Sequence, residues 1–255
     1  DAMSVLVNGA LLQNIVGAPS PNTAFWSIAV EVQLYVLLPV LLLMIRQRGA
    51  VAMVAVVTLL VAVVGIVGPH VARLDTFVVE SPPELLALFA LGIASAGVVV
   101  AGARNPWPWP WPAPAAAAPV LATIAWQGTA WTLGRLYWVD LALAPAIACL
   151  LIGLATGRPA SLLRLLEARP VRSLGASSYS LYLTHAPIIA IVYELIVARW
   201  LHQGPTAFLV SLAIVVPLTI AFAQAFASVF ERGFRPRRRA AAVGRAVPRS
   251  EAVPG

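Results

Sequence analysis

The strongest chemical signal in this sequence is three polar side chains inside an apolar run: Ser27, Glu31 and Tyr35, within Phe25-Trp26-Ser27-Ile28-Ala29-Val30-Glu31-Val32-Gln33-Leu34-Tyr35. They are spaced four and four. On an α-helix a step of four drifts by only about 40°, so the three share one stripe about 12 Å long. A carboxylate and two hydroxyls on one stripe can bind the hydroxyls of a ligand and relay a proton. Pro39 continues the spacing one step further. If the helix starts near Ala24, Glu31 lies roughly 10 Å in from its end. A lone carboxylate at that depth in an apolar medium costs several kcal/mol unless it is paired, neutral or hydrated. Two roles stay open: a protonated Glu locking two helices together, or a group lining a cavity where chemistry occurs. The stripe favours the cavity.

A second polar set opens another apolar run, Leu174-Gly175-Ala176-Ser177-Ser178-Tyr179-Ser180-Leu181-Tyr182-Leu183-Thr184-His185-Ala186-Pro187. Ser178, Tyr182 and His185 are spaced four and three, with Ser177 and Thr184 beside them. His185 is suited to be a general base, a proton relay or a ligand-binding donor. It is equally suited to be a neutral imidazole bonded to a neighbouring helix, with Pro187 freeing carbonyls just after it. No metal pair is indicated, because His70 and His202 both fall in predicted external loops. Glu194 lies near the outer end of its run, where solvation is easy. Cys149 is alone, so neither a disulfide nor a cysteine metal site is possible within the chain.

The elements that hold these residues are membrane spans. The 255 residues are 60% hydrophobic and only 11% charged, with a mean hydropathy of +0.88. Soluble domains carry about 25% charged residues, and disordered chains are poor in apolar ones. Both classes are excluded. Seven segments, 24–45, 50–68, 85–103, 117–134, 139–157, 175–198 and 206–230, have the roughly 17–25 residues that cross a hydrocarbon core. The fold class is therefore all-α polytopic, with about seven transmembrane helices. The fourth segment is the weakest, diluted by Gln127, Gly128 and several Thr and Trp residues.

The pI near 10.7 invites a nucleic-acid reading, but the placement of charge argues against it. All 17 basic residues are Arg. When the connections alternate sides, Arg73, Arg135 and Arg199 fall on one side and the other fourteen on the opposite side. The positive-inside rule then places the C-terminus in the cytoplasm and residue 1 outside. Residues 237–255 read as a basic, disordered cytoplasmic tail, and no nucleic-acid partner is expected. Residue 1 would need a route outward, yet Asp1-Ala2-Met3 does not open a signal sequence. The expectation is a C-terminal part of a longer protein, with 4–18 a re-entrant or interfacial segment or the end of a truncated span. Alternating Pro and Trp in 104–119 predict an extended polyproline strip with Trp107, Trp109 and Trp111 anchored at the headgroups.

The segment from Ala24 to Pro39 resembles the Trp-Ser-Leu-x-x-Glu-x-x-Phe-Tyr-x-x-x-Pro stretch of the acyltransferase 3 family of integral membrane acyltransferases, most of them bacterial. Three further stretches agree in order. Glu84 to Gly92 is similar to the family's Phe-x-x-Gly span. Gly175 through Pro187 resembles its Gly-x-x-Ser-Tyr-x-x-Tyr-Leu-x-His motif. Phe230-Glu231-Arg232-Gly233-Phe234 resembles its closing Glu-x-Pro-Phe, with Gly in place of Pro. The first and third are specific, and together the four cover 22–236. Residues 1–236 are accordingly expected to be the C-terminal part of such a domain.

The resemblance implies transfer of an acyl group, commonly acetyl, from a cytoplasmic acyl-CoA-type donor to a hydroxyl of a sugar, polysaccharide or glycosylated product. It implies no bound cofactor or metal, and a multi-pass location in the bacterial inner membrane. Ser27, Glu31 and Tyr35 match the family's stripe residue by residue, as acceptor-binding or proton-relay candidates. His185 and Tyr182 are secondary candidates with a mainly structural role. Family members have about ten spans, and their chief candidate base is a His in the first. That implies three spans upstream of these seven, and inactivity of this stretch alone. The arginines at 158–172 could meet the nucleotide end of CoA, although topology already explains them. The competing reading is a secondary transporter or flippase with Glu31 and His185 on the substrate path. A structural subunit would leave the stripe without a purpose. Topology is directly testable: a reporter fused after Arg239 should be cytoplasmic and one inserted near Asp75 external. The two on the same side would overturn the span count.

Overall fold

A bilayer core offers no water to backbone N–H and C=O groups, so a spanning chain must satisfy them within each helix or close them into a barrel. The computed structural model describes residues 2–16, 24–71, 81–101, 111–197 and 204–231, and every element among them is helical. In chain order they are α1 (Ala2–Gly9), α2 (Gln13–Val16), α3 (Phe25–Arg48), α4 (Ala50–Val67), α5 (Glu84–Ala101), α6 (Pro112–Leu133), α7 (Leu136–Ala155), α8 (Ala160–Leu166), α9 (Arg169–Ala176), α10 (Ser178–Val192) and α11 (Pro205–Phe230). A 3₁₀ turn at Gly68–His70 follows α4, and a π-type turn at Tyr193–Val197 follows α10. The chain divides into two compact units, Asp1–Ser173 and Leu174–Gly255.

Six of these helical stretches are long and apolar enough to cross a membrane: Phe25–Arg48, Ala50–His70, Glu84–Ala101, Leu136–Ala155, Ser178–Ile196 and Pro205–Phe230. They coincide with six of the seven predicted spans. The fourth predicted span is helical as well, within α6, but it is not one of the six. Its helix is interrupted at Gly128 (φ 79°, ψ 179°), in the stretch that polar residues dilute.

The predicted polyproline strip requires a correction. Trp111 is in a turn, and the chain from Pro112 onward is helical. Prolines in a first turn lose no hydrogen bond, since those N–H groups have no partner within the helix. The alanines at 115–118 then supply the strongest helix formers. Residues 102–110, with Trp107 and Trp109, lie outside the described residues, as do the loop 72–80, His202 and the basic tail.

In the first unit α4 packs between α3 and α5, while α7 packs between α5 and α6. The buried face of α4 is a four-spaced stripe of Met53, Val57, Val61 and Gly65. Facing it from α5 are Ala87 and Ala90, with Leu41 of α3 closing the core. Small residues at such interfaces let helices approach closely, which is what drives association where lipid tails are as apolar as the side chains. The closest approach is at Gly65. A Cβ there would lie 2.5 Å from Tyr137 Cε1 and 3.1 Å from Trp138 Cζ2. The space left by the missing Cβ lets the Tyr137 hydroxyl donate to the Val61 carbonyl at 2.5 Å, tying α7 to α4. In the second unit α10 packs along α11.

Gly65→Ala should force the Tyr137 ring out and lower the unfolding midpoint of the detergent-solubilised protein, at a cost of about 1–3 kcal/mol for overpacking. Gly92→Ala, which adds a Cβ to open space, should leave the midpoint unchanged. Identical midpoints for the two variants would refute this packing.

Candidate functional site

Ser and Thr side chains in a span usually bond back to the carbonyl three or four residues earlier, which settles their polarity locally. Ser27 follows that pattern, its hydroxyl donating to the Ala24 carbonyl at 3.1 Å. Glu31 and Tyr35 do not. The Tyr35 hydroxyl donates to Glu31 Oε1 at 2.6 Å, a short bond to a carboxylate one turn away. Both side chains are exposed, Tyr35 by 54%. The Tyr35 ring meets Phe89 of α5 edge-on, with centroids 6.2 Å apart. The structure thus joins Glu31 to Tyr35 and turns Ser27 to its own backbone. It also brings the first sequence motif against the Phe of the second.

What fixes the start of this stripe is the segment before it. Gln13 and Asn14 of α2 are buried, and their amides donate to the carbonyls of Phe25 (3.1 Å) and Trp26 (2.9 Å). Ser81 in turn donates to the Asn14 carbonyl at 3.1 Å. Residues 2–16 are therefore two short helices, broken around Leu11 (φ 57°), that clasp the first turn of α3 immediately before Ser27. Gln13 Oε1 and Gln33 Nε2 are buried and have no hydrogen-bond partner among the described residues.

Three polar residues that the sequence reading passed over lie in the first unit near one another. Glu84, at the first position of α5, is 7% exposed, and its Oε2 has no hydrogen-bond partner among the described residues. Tyr137 and Asp140 of α7 are each close enough to interact electrostatically with it. The signal was present: Glu84 shares a three-spaced face with the buried Ala87 and Ala90, and Asp140 is a carboxylate inside an apolar run. By the rule that singled out Glu31, both qualified.

In the second unit His185 Nδ1 lies 2.6 Å from the Tyr182 carbonyl, and the two rings are 5.6 Å apart. A carbonyl only accepts, so Nδ1 is the donor in this contact. Ser178 bonds back to Gly175 at 2.9 Å, so Tyr182 and His185 meet without it. The fully buried Ser180 donates to the Glu231 carboxylate just after α11, and Thr184 donates to the Ser180 carbonyl at 2.8 Å. The third and fourth motifs of the sequence therefore meet through Ser180 and Glu231. Ser180 was missed because its neighbours Tyr182 and His185 drew the chemical reading. Glu194 is exposed in the turn after α10. Among the described residues no three His, Cys, Asp or Glu side chains are grouped to hold a metal ion.

The profile of a family described as an acyltransferase domain matches residues 3–227 of the chain. The match takes in α1 and α2 as well as the stripe, the Tyr182–His185 pair and most of α11. No curated protein and no solved structure matches.

The Ser180–Glu231 link is testable by a double-mutant cycle. Ser180→Ala and Glu231→Gln should each destabilise the folded protein in detergent. The double variant should fall short of their sum by about 0.5–3 kcal/mol, the range for side chains in direct contact. Strict additivity would show that the two groups do not interact.

Proposed function

The chain belongs to the acyltransferase 3 family and is an integral, multi-pass membrane acyltransferase; from that premise we propose that it transfers an acyl group from an acyl-CoA-type thioester to a carbohydrate hydroxyl. Its commonest acyl group would be acetyl, its donor would arrive from the cytoplasm, and its membrane would be the bacterial inner membrane. The observation that carries this reading is the exposed Glu31–Tyr35 pair on the face of a membrane span. An exposed carboxylate is expensive in lipid and inexpensive in a wet cavity. A cavity is also what a polar acceptor needs.

The chemistry the pair supports is bounded. The acceptor oxygen bonds to the acyl carbon, the carbon–sulfur bond breaks, and the hydroxyl proton ends on the leaving thiol. Tyr35 holds one carboxylate oxygen of Glu31, leaving the other for the acceptor hydroxyl. In that position Glu31 binds the acceptor and relays its proton. Phe89 against the Tyr35 ring limits its motion, which keeps the phenol on the carboxylate. Ser27, one turn back on the same face, is placed to bind a second hydroxyl once it leaves the Ala24 carbonyl. Tyr182 and His185 are assigned a positioning role within the second unit, with the imidazole tied to its own helix.

Glu31→Gln in the whole protein should lower acyl transfer to cell-surface glycans by about 10²-fold or more while protein level holds, the scale of a lost proton-transfer group. Tyr35→Phe should cost less. His185→Gln keeps a donor for the Tyr182 carbonyl and should retain about a tenth of wild-type transfer or more, outside the roughly 10²–10⁴-fold loss of a general base. Loss of folded Glu31→Gln protein in step with activity would assign Glu31 to helix locking. Abolished transfer in folded His185→Gln protein would make His185 catalytic.

A further inference from the structure

A cavity of about 740 Å³ opens between the first turns of α6 and the middle turns of α7. Its size is within the roughly 300–1,000 Å³ of small-molecule sites, and its walls sort by polarity along one axis. Leu143, Ala146, Ile147 and Leu150 line it for about two turns of α7, roughly 10 Å. Ala117 and Ala113 face them from α6. At the end where α7 stops and α6 starts, the lining becomes Trp111 and Arg158.

The placement of Arg158 is built into the backbone. The Arg158 N–H bonds to the Gly153 carbonyl at 2.8 Å and the Gly157 N–H to the Leu154 carbonyl at 3.1 Å, the paired bonds of a Schellman cap. The cap needs a left-handed residue, and Gly157 has a φ of 88°. It turns the chain so that Arg158, just past the end of α7, lines the cavity. Among the described residues that guanidinium has no carboxylate partner. Trp111 is 76% exposed, an amphipathic ring of the kind that sits at headgroup level.

We propose that this cavity is a binding site for an anionic phospholipid of the surrounding leaflet, with an acyl chain along α7 and its phosphate on Arg158. Three features select a bilayer lipid. The apolar axis runs along a helix long and apolar enough to cross a membrane, so a chain enters without reorienting. The lone cation lies at the end where a leaflet places its phosphates. With 117–134 counted as a crossing, that end also belongs to the arginine-rich side of the predicted topology, which is the cytoplasmic leaflet where anionic lipids concentrate. The site is separate from the Glu31–Tyr35 pair and does not rest on the acyl-transfer reading.

The test places the whole chain in lipid nanodiscs containing phosphatidylglycerol or phosphatidylcholine with a diazirine in the acyl chain, and maps the labelled peptides after irradiation. Phosphatidylglycerol should label 143–150 about fivefold more than phosphatidylcholine, the selectivity expected of one arginine at an anionic headgroup. Arg158→Gln should abolish the difference and Arg158→Lys should keep it. Leu150→Trp, which fills the cavity and leaves the charge, should reduce labelling of 113–117 and provides a second variant if Arg158→Gln misfolds. Equal labelling by the two lipids, or labelling indifferent to Arg158→Gln, would overturn the proposal. So would displacement by micromolar acyl-CoA, which would make this the donor's cavity.

Discussion

Hydrocarbon cannot hydrate a polar group, and that constraint governs nearly every contact in this protein. Ser27, Ser95, Thr132, Thr156, Thr184 and Ser211 all return their hydroxyls to carbonyls three or four residues back. Tyr137 reaches across to a carbonyl of α4, and the amides of Gln13 and Asn14 reach carbonyls at the start of α3. Against that background a hydrogen bond between two side chains stands out, because it needs two polar groups on the same surface. Tyr35–Glu31 and Ser180–Glu231 are such bonds, and they occupy opposite environments. Ser180 is fully buried, which suits a structural lock. Glu31 and Tyr35 are exposed, which suits a surface that meets substrate.

The family motifs acquire physical meaning from these contacts. The Tyr of the first motif is held by the Phe of the second, and Ser180, at an unspecified position within the third, is held by the Glu of the fourth. Each unit thus contains one pair of motifs in contact. The conformation of the stripe also depends on residues outside any motif. α2 fixes the first turn of α3 through two buried amides. Close packing of α4, α5 and α7 around Gly65 sets the position of the helix that carries Phe89.

Six spans were legible because length and apolarity are properties of the sequence itself, independent of packing. The Glu31–Tyr35 pair was legible for a related reason: a spacing of four makes neighbours on any helix. Contacts between helices were not legible in this way. Nothing in the spacing of Ser180 and Glu231, 51 residues apart, shows that they meet. Gln13 and Asn14 sit in a segment too short and mixed for a span, so their role as a clasp appears only once α2 lies against α3. The misread strip at 112–119 has a local cause. Pro112 and Pro114 fall in a first turn, where they cost a helix no hydrogen bond, and the alanines after them propagate it through Pro119. Glu84 and Asp140 were legible and were passed over, because the motif around Glu31 claimed the role of the intramembrane acid.

The central claim is that Glu31 faces water and the acceptor, and its most direct measurement is the chemical modification of that carboxyl. Membranes containing the whole protein would be treated with a water-soluble carbodiimide or with a lipid-soluble one, with and without the hydroxyl acceptor, and Glu31 followed by peptide mapping. The account predicts modification by the water-soluble reagent, slowed when acceptor is present. Modification by the lipid-soluble reagent alone, unchanged by acceptor, would place Glu31 against lipid or a neighbouring helix and contradict the account.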